Sequence, residues 1–251
     1  MTQAFGDGKV TISGKVTDFD DKPLQDAVVE IKNDRFETLY NTYSNAKGEY
    51  KMHVERGLYF ALMACKDYKT KYLEYWVWHL PAYQDLQLDP RIGQIEVYAM
   101  NAFRPQGAYP SLILYFRPMS LTRYQNLSGK ASTDASCIDI SPHLEKDDIE
   151  VRINGKPTEI LELNKVREYA GGANSIVAYL LQLTLPRKSL IAYLIQIATH
   201  VKIPEKTYSG YYRITVALKD KQTGDRGEGC LFWTKKHVRV IPMQDGGPAG
   251  I

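Results

Sequence analysis

The sequence is short of the residues that usually announce chemistry. Of 251 residues only three are cysteine, and Cys65, Cys137 and Cys230 lie far apart. An odd, sparse set does not make a disulfide framework, and the lack of any CxxC pair excludes a zinc ribbon or redox motif. The three thiols are expected to be free, with Cys65 a small apolar core residue. Histidine is scarce as well. His53, His79, His143, His200 and His237 include no pair at metal-ligand spacing and no HExxH, so neither a metal nor a cofactor is expected. An excess of charge of one sign is lacking: 32 Lys and Arg against 29 Asp and Glu leave a net +3, too small a field to attract nucleic acid. No run of about 18 apolar residues occurs, which excludes a helical membrane span. Residues 1–6 lack a basic stretch followed by an apolar one, so no signal peptide is expected in this chain. There is no Gly-x-Ser-x-Gly elbow and no phosphate-cradling loop. The glycine-rich run Gly224–Gly229 lies between two strand patterns with no helix after it, and reads as a hairpin turn.

What is present is alternation. Val10, Ile12 and Val16 fall on one face of a strand, against Thr11, Ser13, Lys15 and Thr17. Gly14 interrupts the inner row, which marks a bulge or a close backbone approach. Asp18, Asp20 and Asp21 form a turn cluster. They could hold Ca²⁺, but solvated turn acids are the plainer reading. Ala27, Val29 and Ile31 alternate next, then Tyr50, Met52 and Val54. Between these, Asn45-Ala-Lys-Gly48 is a tight hairpin turn. Leu58–Cys65 is apolar on both faces and therefore central. Residues 71–79 and 93–100 complete the set.

Gly14-x-Val-x-Asp18, Pro23-Leu24, Ala27-x-Val29, Gly48-x-Tyr50 and Gly57-x-Tyr59 resemble the carboxypeptidase regulatory-like domain family. That resemblance covers residues 9 to about 79 and implies a transthyretin-like β-sandwich. It also implies a non-catalytic role at a cell surface or outside the cell. Two enzyme families share transthyretin-like topology. The hydroxyisourate hydrolases end in Tyr-Arg-Gly-Ser, which Tyr208-Ser-Gly-Tyr211 echoes only superficially. The intradiol dioxygenases need a closely spaced histidine pair, which is lacking.

Residues 101–110, with two prolines and a glycine, read as a linker. Beyond it, Leu112, Leu114 and Phe116 alternate up to Pro118, and 124–135 reads as polar loop. Asn154-Gly155 is a strong hairpin signal. Residues 175–185 read as a buried strand. Leu190, Ile191, Leu194, Ile195 and Ala198 fall at helical spacing, so 188–200 is expected to be a short helix, although its β-branched residues leave a strand open. Gly210-x-Tyr-x-Ile-x-Val is similar to the last hairpin of immunoglobulin-like or fibronectin-like sandwiches. Lys235, Lys236, His237 and Arg239 read as a solvated strand end.

The sequence thus predicts an all-β chain of two tandem antiparallel β-sandwich domains, the second with a short helical insertion. The domains span 1–100, carboxypeptidase-regulatory-like, and 111–243, immunoglobulin-like. Residues 244–251 form a disordered tail.

The one unusual stretch is Tyr72-Leu-Glu-Tyr-Trp-Val-Trp78. If Leu73, Tyr75 and Val77 face the core, then Tyr72, Glu74, Trp76 and Trp78 face outward, with the two indoles about 7 Å apart. Such a row is costly to leave bare. It could pack on the second domain, stack a sugar with Glu74 accepting a hydroxyl, or form a protein interface. The expected function is a non-catalytic binding or spacer protein with a protein or carbohydrate partner. A carbohydrate-binding accessory, an interdomain hydrolase or oxygenase, and a structural component of an assembly are the alternatives.

Overall fold

The computed structural model describes residues 8–104, 111–128, 140–169, 189–198 and 210–234. The strands are β1 (Lys9–Lys15), β2 (Val28–Lys32), β3 (Thr38–Tyr43), β4 (Glu49–Glu55), β5 (Gly57–Cys65), β6 (Tyr75–Ala82), β7 (Leu86–Gln87), β8 (Ile95–Phe103) and β9 (Ser111–Ser120). A helix, α1 (Leu121–Ser128), follows. Then come β10 (Ile149–Ile153), β11 (Lys156–Pro157), β12 (Ile160–Tyr169), β13 (Ser189–Ala198), β14 (Tyr212–Lys219) and β15 (Arg226–Trp233). The fold is an all-β sandwich.

Three sheets are present among the described residues. The middle one has eight strands, in the order β11-β10-β14-β15-β6-β5-β2-β3. A three-stranded sheet, β4-β1-β7, shares one core with it, and a four-stranded sheet, β12-β13-β9-β8, shares the other. The middle strands therefore send alternate side chains into different cores. Leu62, Tyr75, Val77, Cys230 and Phe232 join Ile12 and Val54 on one side. Met63, Trp76, Trp78, Leu231 and Trp233 join Val97, Leu114 and Phe116 on the other. Strands from both ends of the sequence meet in this sheet, because β15 runs parallel to β6, with Cys230 opposite Val77.

The inner rows read from the sequence lie inside. Val10, Ile12, Val16, Ala27, Val29, Ile31, Tyr50, Met52 and Val54 are all buried. The Asn45 turn closes as expected, with Gly48 at φ +77° and the Asn45 Oδ1 accepting the Lys47 and Glu49 amides at 2.9 and 3.0 Å. Asn154 and Gly155, at φ +49° and +79°, make the turn between β10 and β11. Cys65 and Cys230 are free and buried.

Gly14 is a close approach. A Cβ there would sit 1.6 Å from the Leu88 carbonyl oxygen. Gly14→Ala is expected to destabilise the protein by roughly 1–3 kcal/mol through this overpacking. A chemical-denaturation midpoint no lower than that of the native sequence would refute the contact.

Three local expectations are corrected. Residues 188–200 hold strand β13 rather than a helix: β13 is paired on both sides, with β12 and β9, and lateral hydrogen bonding suits its β-branched residues. The helix lies instead at α1, which begins before the stretch read as loop and overlaps it over residues 124–128. The Asp225 carboxylate, distant in sequence, accepts bonds from the Ser120 hydroxyl at 2.6 Å and the Thr122 hydroxyl at 2.7 Å, and so fixes its first turn. Finally, β9 continues through Pro118, opposite Val97. On its other side β9 pairs with β13 only over Ser111–Phe116, so the missing amide at Pro118 breaks no ladder bond there.

Asn101, Ala102 and Phe103 belong to β8 and pair with Tyr115, Leu114 and Ile113 of β9. Residues 105–110 of the expected linker, the 175–185 strand, Cys137, His200, the Lys235–Arg239 cluster and the 244–251 tail lie outside the described residues.

Candidate functional site

The aromatic row is inside the molecule. Trp76 and Trp78 share one face of β6 and stack with ring centroids 5.1 Å apart, at 17° between planes. They are 3% and 4% exposed. Tyr98 of β8 meets both edge-on, at 5.7 and 5.3 Å. Phe60 closes on Trp78 at 5.6 Å, and Phe36, from the β2–β3 hairpin, closes on Trp76 at 5.9 Å. That face of β6 looks into a core shared with Leu112, Leu114, Phe116 and Val151 rather than into solvent, in keeping with the first of the three readings given for the row. The parity itself is right for Trp76 and Trp78 but not for Tyr72. Tyr72 precedes β6 and packs into the core that holds Tyr75 and Val77.

An acidic pair lies beside the indoles. The Trp76 Nε1–H donates to the Glu96 carboxylate at 3.0 Å. Glu96 is 2% exposed. Burial, and secondarily the neighbouring charge of Glu74, push its carboxyl up to about 8. Burial also raises Glu74, against the pull of Lys32. Burial first, then Glu74 and Glu96, push the Cys65 thiol up to about 12, so it is held protonated and unreactive. Glu96 itself was not anticipated. By alternation it falls on the row opposite Ile95 and Val97, so the sequence pattern does not mark it as buried.

Among the described residues, depressions open at the surface, two of which bear on binding. One, of about 370 Å³, is largely apolar and is lined by Leu39, Leu58, Tyr59, Phe60 and His79. The other, of about 580 Å³, is polar. It forms where the turn after β1, the segment before β6, the segment before β8 and the β14–β15 turn converge. Lys22, Lys71, Lys219 and Arg226 line it, with Asp18, Asp20 and the buried Tyr72. Of the four residues proposed from the sequence, Tyr72 alone lines this groove. Asp18 has a turn role here: its Oδ1 accepts the amides of Asp20 and Lys22 at 2.9 and 3.0 Å. The groove was illegible in the sequence because its lining comes from segments some 200 positions apart.

No protein-family model matches this chain, and no curated protein matches it. Among solved structures it is similar to a DUF3823 family protein from Bacteroides ovatus, at 9% identity and a TM-score of 0.27, covering 89% of this chain and 98% of that one. It is similar also to a proposed carbohydrate binding protein from Bacteroides uniformis, at 9% identity and a TM-score of 0.28, covering 90% and 99%. A third is BcpA, the major pilin subunit of Bacillus cereus, at 9% identity and a TM-score of 0.27, covering 89% and 69%.

Proposed function

We propose that this chain is a non-catalytic binding or spacer module that works at a cell surface or on extracellular polymer. The observation that supports this most is the use made of its chemically capable side chains. The tryptophans, Glu96 and Cys65 are built into a core on one face of a shared middle sheet, with a second core on the other face. A sheet buried on both faces makes a stiff body, suited to holding a recognition surface or spanning a distance. Stacking of a sugar on Trp76 and Trp78 would first require the Phe36 hairpin and β8 to lift away, so this reading places ligand contact elsewhere.

The test pairs binding with turnover. The purified chain is expected to be retained on insoluble polysaccharide or cell-wall material. It is expected to give no protein-dependent turnover of ester, peptide or glycoside reporter substrates across the titration range of Glu96. Turnover that disappears in Glu96→Gln would overturn the reading, because it would make that carboxyl a catalytic acid.

A further inference from the structure

We infer that the polar groove between the β1–β2 turn and the β14–β15 turn binds an acidic sugar, one that carries carboxylate or sulfate groups beside free hydroxyls. This rests on the binding-module reading above, and the experiment below separates the two.

The lining carries four cationic side chains against two carboxylates. Both carboxylates are partly committed. Asp18 is held by two backbone amides, and Asp20 lies 4.0 Å from the Lys22 amine and 3.9 Å from the Arg226 guanidinium. The cations differ in kind. Arg226 is fixed in place: it donates to the Phe19 carbonyl at 3.1 Å and sits 4.8 Å from the centroid of the Phe19 ring. Arg91 lies at the same distance from that ring and is anchored to Glu228. The Arg226 guanidinium is thus held in one orientation, with Asp20 as its present carboxylate neighbour, where a ligand's planar oxyanion could share it. Lys71 is exposed, with its amine 5.0 Å from the centroid of the Tyr72 ring. Lys22 and Lys219 are exposed as well. These three can follow a ligand and add charge without holding a fixed geometry.

Part of the lining, at Gly93, is backbone against backbone. A Cβ at Gly93 would sit 2.0 Å from the Arg226 carbonyl oxygen, so the two segments touch with no side chain between them. A volume of about 580 Å³ is that of a site for a small ligand or a few sugar units. The chemistry narrows the class. The carboxylates of Asp18 and Asp20 are acceptors that the free hydroxyls of a sugar ring can satisfy and that a phosphodiester without hydroxyls cannot. The Phe19 ring is already covered by guanidinium, so a stacking nucleobase finds no platform there.

The test titrates the full chain by calorimetry and amide NMR with an oligogalacturonate, its neutral methyl ester, a sulfated disaccharide and sodium sulfate. At least one acidic sugar is expected to bind, with affinity falling as salt rises; which one binds separates carboxylate from sulfate. Lys71→Ala combined with Lys219→Ala is expected to weaken that binding about tenfold or more, with an unchanged melting temperature, since both side chains are exposed. Equal binding of the neutral ester, equal binding of sodium sulfate (an adventitious ion only), or undiminished binding by the double variant would each overturn the inference. If the chain stays on polymer while the groove fails these tests, the binding-module reading survives. If it neither binds these ligands nor stays on polymer, both fall.

Discussion

Glu96→Gln is expected to make the protein more stable at mildly alkaline pH and to flatten part of its stability profile. The folded carboxyl titrates at about 8, against 4.5 for an ordinary glutamate. Between those values the folded state keeps a proton that the unfolded chain has released. Stability therefore falls as pH rises through that window, by at most about 1.4 kcal/mol per pH unit, and levels off above it. Glutamine matches the shape of the protonated acid. Its oxygen can still accept from the Trp76 Nε1–H, and its amide takes the place of the acid proton. The raised pKa of Glu74 has the same sign and stays in the variant, so the flattening is partial. Urea unfolding at a series of pH values measures both proteins. Parallel profiles would show that Glu96 is not buried as an acid.

Truncating the stacked indoles is expected to cost more than any other single change considered. Trp76→Ala removes a ring that is 3% exposed and contacts Trp78, Phe36 and Tyr98, which predicts a loss of roughly 3–5 kcal/mol. Trp76→Phe refines the test. It keeps an aromatic body but deletes the donor that holds the Glu96 carboxyl down, so the downward arm of the pH profile should extend further into alkali. Tyr43→Ala on β3, where the ring is 61% exposed, should fall within about 0.5 kcal/mol of the native protein. A Trp76→Ala protein as stable as the Tyr43 variant would mean the row is open in solution, and sugar stacking on it would return as a reading.

How far the sequence could be read depended on the range of the interaction. Strand existence, inner rows and tight turns were legible from residues 10 to 60. Period-2 alternation, Asn45, Gly48 and the Asn154-Gly155 pair act over a few positions. Residues 188–200 misled because apolar residues at helical spacing also fit a strand with partners on both sides. Helix α1 was hidden because the carboxylate that fixes its first turn, Asp225, lies about a hundred positions on. Tyr72 was placed on the wrong face because strand parity was carried back past the start of β6.

The local grammar of the chain determined that it would be mainly β, where the Asn45 and Asn154-Gly155 turns would fall, and that Trp76 and Trp78 would share a face opposite Tyr75 and Val77. Tertiary structure decided what each face met. The parallel pairing of β15 with β6 made the middle sheet common to both ends of the chain. A sheet covered on both sides turns an apparent outer row into a second core. The same convergence of distant segments gathered Lys22, Lys71, Lys219 and Arg226 around one groove. Alternation states that two faces differ; only long-range pairing determines what covers each of them.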